Sequence, residues 1–494
     1  MPHPRGPRTR SVVVGKLSAG QLPWALPMRS LHLPDKAFRA LARQVAEFSA
    51  DYLEKLPQLP SYPPGISGAD TQSLFTGKIP WEGQGAGVFE SLQDVFRLSR
   101  PASPRFFGYV FGSGDPIGAL GEFATAVLHQ NAAAWRSAPA GITLERTVVG
   151  WLADAIGCPG FTGSLTLGGS SANLMGLCMA REAKTPANQS GVRGGVIYCS
   201  TEAHMSIAKG AALLGLGYDA VRLVAVDDAF RMRVDELRSA IDADLACGRI
   251  PIAVVASAGT TATGSIDPLR QIADICQEFG LWLHVDGAYG ALASLAIPEA
   301  FRGMEHADSL SLDPHKWLYQ PTGCGCLLYR DPAAARRAFS HSADYARALS
   351  GDPIEGFAVF EESIELSRPV RALKLWLSLR YYGMGAFQQS IREDLQLAQV
   401  LARAIDAEPN LERLAPVPLS AVCFRYIGAP GDLDALNRAI LNRVIRRGRV
   451  YISNATIHGK FALRACIVNH RTTEADVQSV VTEVLAAADE LAHN

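Results

Sequence analysis

An α/β fold, built on a mainly parallel seven-stranded sheet with helices on both faces, is predicted by three features of the sequence. Short apolar runs recur between residues 160 and 330, helix-length segments separate most of them, and the runs are apolar throughout rather than alternating. Strands of that kind are buried on both faces, and helices between successive strands provide the cover.

Taken in order, the first 34 residues contain no Asp or Glu and carry Arg5, Arg8, Arg10, Lys16 and Arg29, without the apolar stretch of a signal peptide. Residues 1–30 are expected to be a disordered or leader tail, with Met28 as an alternative start. Phe38, Leu41, Val45, Phe48 and Tyr52 then fall at steps of three and four, predicting an amphipathic helix over 36–54. The four prolines of "KLPQLPSYPPG" break it into an extended connector. A helical arm over 31–105 suits packing against another subunit, so an oligomer is expected.

The predicted strands are "SLTL" (164–167), "GVIYCS" (195–200), "VRLVAV" (221–226), "PIAVVAS" (251–257), "LWLHVD" (281–286), "SLSL" (309–312) and "CLLY" (326–329). Helices are predicted at 171–184, 234–246 and 267–279, the last with Asp267 as N-cap and Pro268 in its first turn. These belong to a large domain over 106–378. A smaller α+β domain is expected over 379–494: Ile391, Leu395, Ala398, Leu401 and Ile405 share one helix face, "AVCFRYI" and "FALRACIV" read as strands, and Thr473 can cap a closing helix.

Composition excludes several classes of partner. Lys and Arg number 47 against 48 Asp and Glu, leaving a net charge of -1 and no basic surface for nucleic acid or an anionic membrane. No apolar run approaches the ~20 residues of a membrane helix. The nine cysteines are scattered, odd in number and mostly within apolar runs, which fits reduced thiols and a cytoplasmic protein. Cys324 and Cys326 are too close for a CxxC motif and have no second pair, so no metal is expected. A small molecule is the expected ligand.

In open parallel sheets ligands bind at the carboxyl edge, so polar residues directly after apolar runs are the candidates. "LTLGGSSANL" reads as strand, glycine pair and helix start; Gly168, Gly169, Ser170 and Ser171 would suit a phosphate, or form an ordinary turn with a serine cap. It lacks the lysine of a P-loop and the last glycine of a GxSxG elbow. Asp286 ends an apolar strand and needs a partner, which a helix cap or a protonated heterocyclic nitrogen would supply. Lys316, in "DPHKW", is either a snorkelling side chain or an amine that attacks carbonyls. His204 would lie against a bound ring or be a satisfied core histidine, and His315 would orient or shuttle protons. In combination, a phosphate anchor, a ring-nitrogen partner and an imine-forming amine are the fixtures that pyridoxal 5'-phosphate requires.

The chain also resembles a known family, the group II pyridoxal-phosphate decarboxylases of fold type I that include the aromatic-L-amino-acid decarboxylases. The likeness spans about residues 35–485 and rests on "SPRFFGYV", "GGSSANL", "EAHMSIAKG", "HVDGAYG", "DPHKWL" and "RALKLWLSLRYYG". The resemblance implies that Lys316 bonds the cofactor as an imine, that Asp286 pairs with the ring nitrogen, and that His204 stacks on one ring face with Ala288 on the other. It further implies that Gly169, Ser170 and Ser171 hold the phosphate, that Thr261 lies close to the cofactor and His315 adjoins the imine, and that Tyr345 returns a proton to the substrate carbon from a mobile loop. Family members are dimers with the site at the subunit interface.

Two departures concern the substrate: Ile142-Thr143-Leu144-Glu145 replaces Thr-Glu-Leu-Glu, and "FGYVFGSGDP" differs from the aromatic enzymes. Decarboxylation of an L-amino acid is expected, with an aromatic substrate if Phe106, Phe107, Tyr109, Phe111 and Trp135 line the pocket rather than the core. An acidic substrate would need a cation such as Arg105 or Arg136. An oxygen-consuming route to aldehydes, or a non-catalytic binding protein, is disfavoured by the presence of Tyr345, His204, Lys316 and Asp286.

Overall fold

The computed structural model describes residues 31, 33–192, 194–341 and 351–493. Its larger sheet contains β1 (Thr162–Thr166), β2 (Val196–Ser200), β3 (Val221–Val224), β4 (Pro251–Ser257), β5 (Trp282–Asp286), β6 (Ser309–Leu312) and β7 (Gly325–Tyr329). All seven lie within two residues of the predicted runs. Their spatial order is β1-β7-β6-β5-β4-β2-β3, and only β7 runs against its neighbours. The two central strands β4 and β5 are buried along almost their whole length, because helices cover both faces.

The helices agree with their sequence patterns at Gly169–Lys184, Val234–Ala246 and Leu269–Phe279. One cap does not. Asp267 leaves the helix start to Pro268 and instead accepts hydrogen bonds from Ser257 N and Met232 N, both at 2.7 Å. Burial pushes its carboxyl up to about 6, and those two backbone donors partly offset the cost.

A second, antiparallel sheet has the order β10-β11-β9-β8, formed by β8 (Leu411–Arg413), β9 (Ala421–Tyr426), β10 (Ser453–Ile457) and β11 (Lys460–Cys466). The helices Met384–Asp406, Leu433–Arg447 and Glu474–Ala492 accompany it, and Thr473 caps the last through a reciprocal bond with Asp476.

The N-terminal helix, Asp35–Lys55, packs Phe48 and Tyr52 edge-on against Phe96, with ring centroids 4.9 and 4.8 Å apart. Its proline-rich connector is tied down: Ser61 N donates to Gly448 O at 2.8 Å, and Arg105 Nη2 donates to Pro57 O at 3.0 Å. Among the described residues no helix is long and apolar enough to cross a membrane.

A buried ion pair fixes the strand that leads to the glycine turn. Arg368, fully buried, directs Nη1 to both carboxylate oxygens of Glu145 at 2.7 and 2.8 Å and Nη2 to Leu165 O, while Leu165 N donates to Glu145 Oε1 at 2.9 Å. The end of β1 is thereby held in place from both its N–H and its C=O.

Candidate active site

Five strands bring their C-terminal ends to one cleft of about 430 Å³, within the range of small-molecule sites. The turn after β1 contributes Gly168, Gly169, Ser170 and Ser171; that after β2 contributes His204; that after β4, Thr260 and Thr261; β5 ends in Asp286 and continues to Ala288; and β6 leads to Asp313, His315 and Lys316. Every described residue that the sequence marked for holding the cofactor is therefore on one lining. Tyr345 lies outside the described residues.

The phosphate end is shaped by close approach. The helix Gly169–Lys184 begins at the second glycine; Ser171 N and Ala172 N donate to Gly168 O, which leaves the N–H groups of Gly169 and Ser170 without an intrahelical acceptor. A Cβ on Gly169 would stand 2.6 Å from Ala288 Cβ and 3.0 Å from Asp313 Oδ2, so only glycine fits without displacement. The turn is thus a backbone cradle with two serine hydroxyls beside it, as an oxyanion requires.

Asp286 is 8% exposed and accepts three hydrogen bonds: from Asn173 Nδ2 at 2.9 Å, from Ser311 Oγ at 3.2 Å and from Ala288 N at 3.2 Å. No described cation forms an ion pair with it, so its carboxylate is organised but not neutralised. A protonated ring nitrogen fits that vacancy of charge.

His204 Nδ1 accepts from Ser206 N at 3.2 Å and lies 2.7 Å from Ser206 Oγ. Burial lowers its pKa; Asp286 opposes this and Lys316 reinforces it. Its imidazole is therefore neutral near pH 7. His315 is also lowered by burial, and its Nδ1 donates to Cys324 O at 3.1 Å. Asp313 binds the two basic groups at the end of β6, with Oδ2 3.4 Å from Lys316 Nζ and 3.6 Å from His315 Nε2, while its Oδ1 is buried without a partner.

Asn173, Ser257, Tyr289 and Asp313 also line the cleft and were missed in the sequence. Asp313 was legible as the polar residue directly after β6. The aromatic pocket did not form as expected. Phe107 is core beneath the second sheet, Phe106 stacks on Tyr451, and Trp135 packs near Ile142; Phe111 comes nearest, its ring 6.5 Å from that of His315. None of them lines the cleft, because the backbone of 105–111 is drawn to the second sheet by Phe107 N donating to Tyr451 O at 2.7 Å. Arg105 is likewise engaged elsewhere, donating to Arg449 O and Pro57 O, and Arg136 is exposed on a short turn.

Comparison with known proteins agrees with this chemistry. A family model described as the pyridoxal-dependent decarboxylase conserved domain matches residues 95–427. An aromatic-L-amino-acid decarboxylase from Bacillus atrophaeus is 30% identical over 473 residues, 94% of this chain and 98% of its own. A 4-hydroxyphenylacetaldehyde synthase from Rhodiola rosea is 30% identical over 453 residues, covering 88% of this chain and 91% of its own. Among solved structures, Oryza sativa TDC with PLP and tryptamine superposes with a TM-score of 0.86 at 25% identity, over 93% of this chain and 99% of that one. The chain is thus a pyridoxal phosphate-dependent amino-acid decarboxylase. A family match over more than half of its length, together with a cradle, an unneutralised acid and a lysine at one sheet edge, establishes that this chain belongs to the pyridoxal-dependent decarboxylase family.

Proposed function

We propose that the substrate is an aromatic L-amino acid, converted to its amine and carbon dioxide. The observation that carries this reading is the make-up of the cleft: among the described residues its lining holds one lysine, Lys316, already facing Asp313, and no arginine to pair with an acidic side chain. The aromatic decarboxylase of Bacillus atrophaeus, similar over nearly the whole chain, supports the same class.

The roles follow from position. Gly169, Ser170 and Ser171 hold the phosphate, Asp286 accepts from the ring nitrogen, His204 and Ala288 bound the ring, Thr261 lies beside it, and Lys316 is the covalent attachment point. When bound, pyridoxal phosphate supplies a ring that accepts the electrons of the breaking Cα–carboxylate bond. His315, with Nδ1 committed to Cys324, turns Nε2 toward Asp313 Oδ2 at 3.6 Å, beside Lys316, to hold or move a proton. Tyr345 donates the proton that replaces the carboxylate.

The active form is a cytoplasmic homodimer, divided into an arm over 31–105, a large domain over 106–378 and a small domain over 379–494. Support for the dimer comes from the surface. Leu120, Phe123 and Val127 project from one face of the helix Pro116–Leu128, Trp81 is 90% exposed in the arm, and Leu167 and Met205 stand exposed beside the cleft. Apolar area on that scale is covered by a partner in a soluble protein.

The test is to offer the holoenzyme a panel of L-amino acids and follow carbon dioxide, amine and peroxide. Carbon dioxide with equal amine from tryptophan, tyrosine or phenylalanine supports the proposal. Turnover confined to glutamate or cysteine sulfinate overturns the substrate class, and aldehyde with peroxide replaces the outcome by the oxidative route.

A further inference from the structure

One buried side chain bonds Asp286 directly and is linked to His204 through Ser206. Asn173, in the helix Gly169–Lys184 and 1% exposed, donates through Nδ2 to Asp286 Oδ2 and to Ser206 Oγ, each at 2.9 Å. Its Oδ1 lies 3.0 Å from His284 Nε2. His284 is fully buried, and its Nδ1 lies 2.8 Å from Ser309 Oγ, which in turn accepts from Trp282 Nε1 at 2.8 Å.

The sense of donation along this chain is determined by its ends. The Asp286 carboxylate only accepts, so Asn173 turns Nδ2 to it and Oδ1 to His284 Nε2, which must donate. Burial holds His284 neutral, so its Nδ1 accepts from Ser309 Oγ, which accepts in turn from Trp282 Nε1. That leaves the His284 proton on Nε2, donated to Asn173 Oδ1, which turns both amide hydrogens toward Asp286 and Ser206. Ser206 Oγ, already an acceptor, then donates to His204 Nδ1, where the Ser206 backbone N–H also points. His204 must carry its own proton on Nε2. The sequence makes room for this: a Cβ on Gly176, one turn along the same helix, would stand 2.4 Å from His284 Cε1.

We propose that Asn173 is a positioning residue which couples the two sides of the cofactor site, orienting Asp286 directly and fixing the His204 tautomer through Ser206, with its own orientation set by the relay Trp282–Ser309–His284. No other described side chain bonds to both Asp286 and Ser206. The inference rests on the assignment of the cleft to pyridoxal phosphate. The charged or titratable groups facing Asp286 are His284 on its own strand, His204 after β2, and Asp313 and Lys316 after β6.

The test uses Asn173→Ala and, as a variant away from the cleft, Ser309→Ala, each checked for native circular dichroism. Affinity for pyridoxal phosphate is measured by titrating the cofactor-free protein, and the visible absorbance of the bound cofactor is recorded from pH 5 to 9. Loss of a hydrogen bond to a charged group predicts about 10- to 100-fold weaker binding in Asn173→Ala, together with a displaced absorbance titration. Ser309→Ala should move the titration in the same direction by less, since it leaves Asn173 in place but removes the donor to His284 Nδ1. A folded Asn173→Ala that binds within twofold of the native protein and titrates at the same pH overturns the proposal. A native protein that develops no visible band overturns the cofactor assignment and the role of Asn173 with it. If Asn173→Ala does not fold, an unmoved titration in Ser309→Ala is the overturning result.

Discussion

Lys316 Nζ stands 3.4 Å from Asp313 Oδ2, three residues away, and the carboxylate is nearly inaccessible while the amine faces the cleft. Charge and chemistry can therefore be separated at this position. Lys316→Arg keeps a cation opposite Asp313 but cannot form an imine, so it should retain the thermal midpoint of the native protein and lose the visible cofactor band and turnover. Lys316→Ala should lose the band as well, and a yellow, active Lys316→Ala enzyme would overturn the attachment site.

Gly169 and Ala288 meet across the cradle. In Gly169→Ala the new methyl would stand 2.6 Å from Ala288 Cβ, an overpacking that costs about 1–3 kcal/mol and pushes on the turn that holds the phosphate. Weaker pyridoxal phosphate binding is expected, with recovery in the double variant Gly169→Ala/Ala288→Gly. A double-mutant cycle on cofactor affinity checks the coupling.

The Glu145–Arg368 pair is buried on both sides. Removing Glu145 takes the two close carboxylate contacts from buried Arg368 and leaves it only the longer one, Nε to Glu365 Oε2 at 3.5 Å, so Glu145→Ala should lower unfolding stability by about 3 kcal/mol in urea denaturation. Because the same carboxylate holds Leu165 N, the variant should also weaken phosphate binding two residues past the end of β1.

Asp394 accepts from Tyr319 Oη at 2.8 Å and from Asn469 N at 3.1 Å, and burial drives its carboxyl up to about 7 despite these donors. A raised folded-state value means that the native state binds the proton more tightly than the unfolded chain. This stabilising contribution is full below the ordinary carboxylate range and is lost as pH rises through about 7. Asp394→Asn should flatten the fall in stability between pH 5 and 8, by on the order of 2 kcal/mol, as read from urea midpoints at each pH.

Tyr345→Phe should reduce the amine formed per carbon dioxide and raise peroxide, if this hydroxyl returns the proton to the substrate carbon. Unchanged stoichiometry would remove Tyr345 from the mechanism.

The strands of the large sheet were legible because burial on both faces leaves a compact apolar signature, as in "PIAVVAS". β8 and β10 were not, since "LER" and "SNATI" pair at the edges of a half-exposed sheet and carry polar residues that look like loop. The reversal of β7 left no trace either, because direction is decided by partners and "CLLY" reads the same both ways. At the site, strand-end residues announced themselves by position. Asn173 did not, since a polar residue inside a helix usually faces water, and only the fold shows it meeting His284 and Asp286. Four aromatic residues in one segment, Phe106 to Phe111, invited assignment to a pocket, whereas their backbone is claimed by the second sheet.

The sheet order also has a bearing on synthesis. β1, which delivers the glycine turn, joins the sheet only through β7, and β7 is the last of the seven strands to be made. As the chain leaves the ribosome, Asp286 and Lys316 therefore emerge before β1, the strand that leads into the glycine turn, has a neighbour to pair with. The cradle, although translated some 150 residues earlier, closes only when Gly325–Tyr329 is in place. With the cofactor held at this turn as proposed, its capture would be a late event in the life of the nascent polypeptide, and colour at the site would mark a molecule whose large sheet is complete.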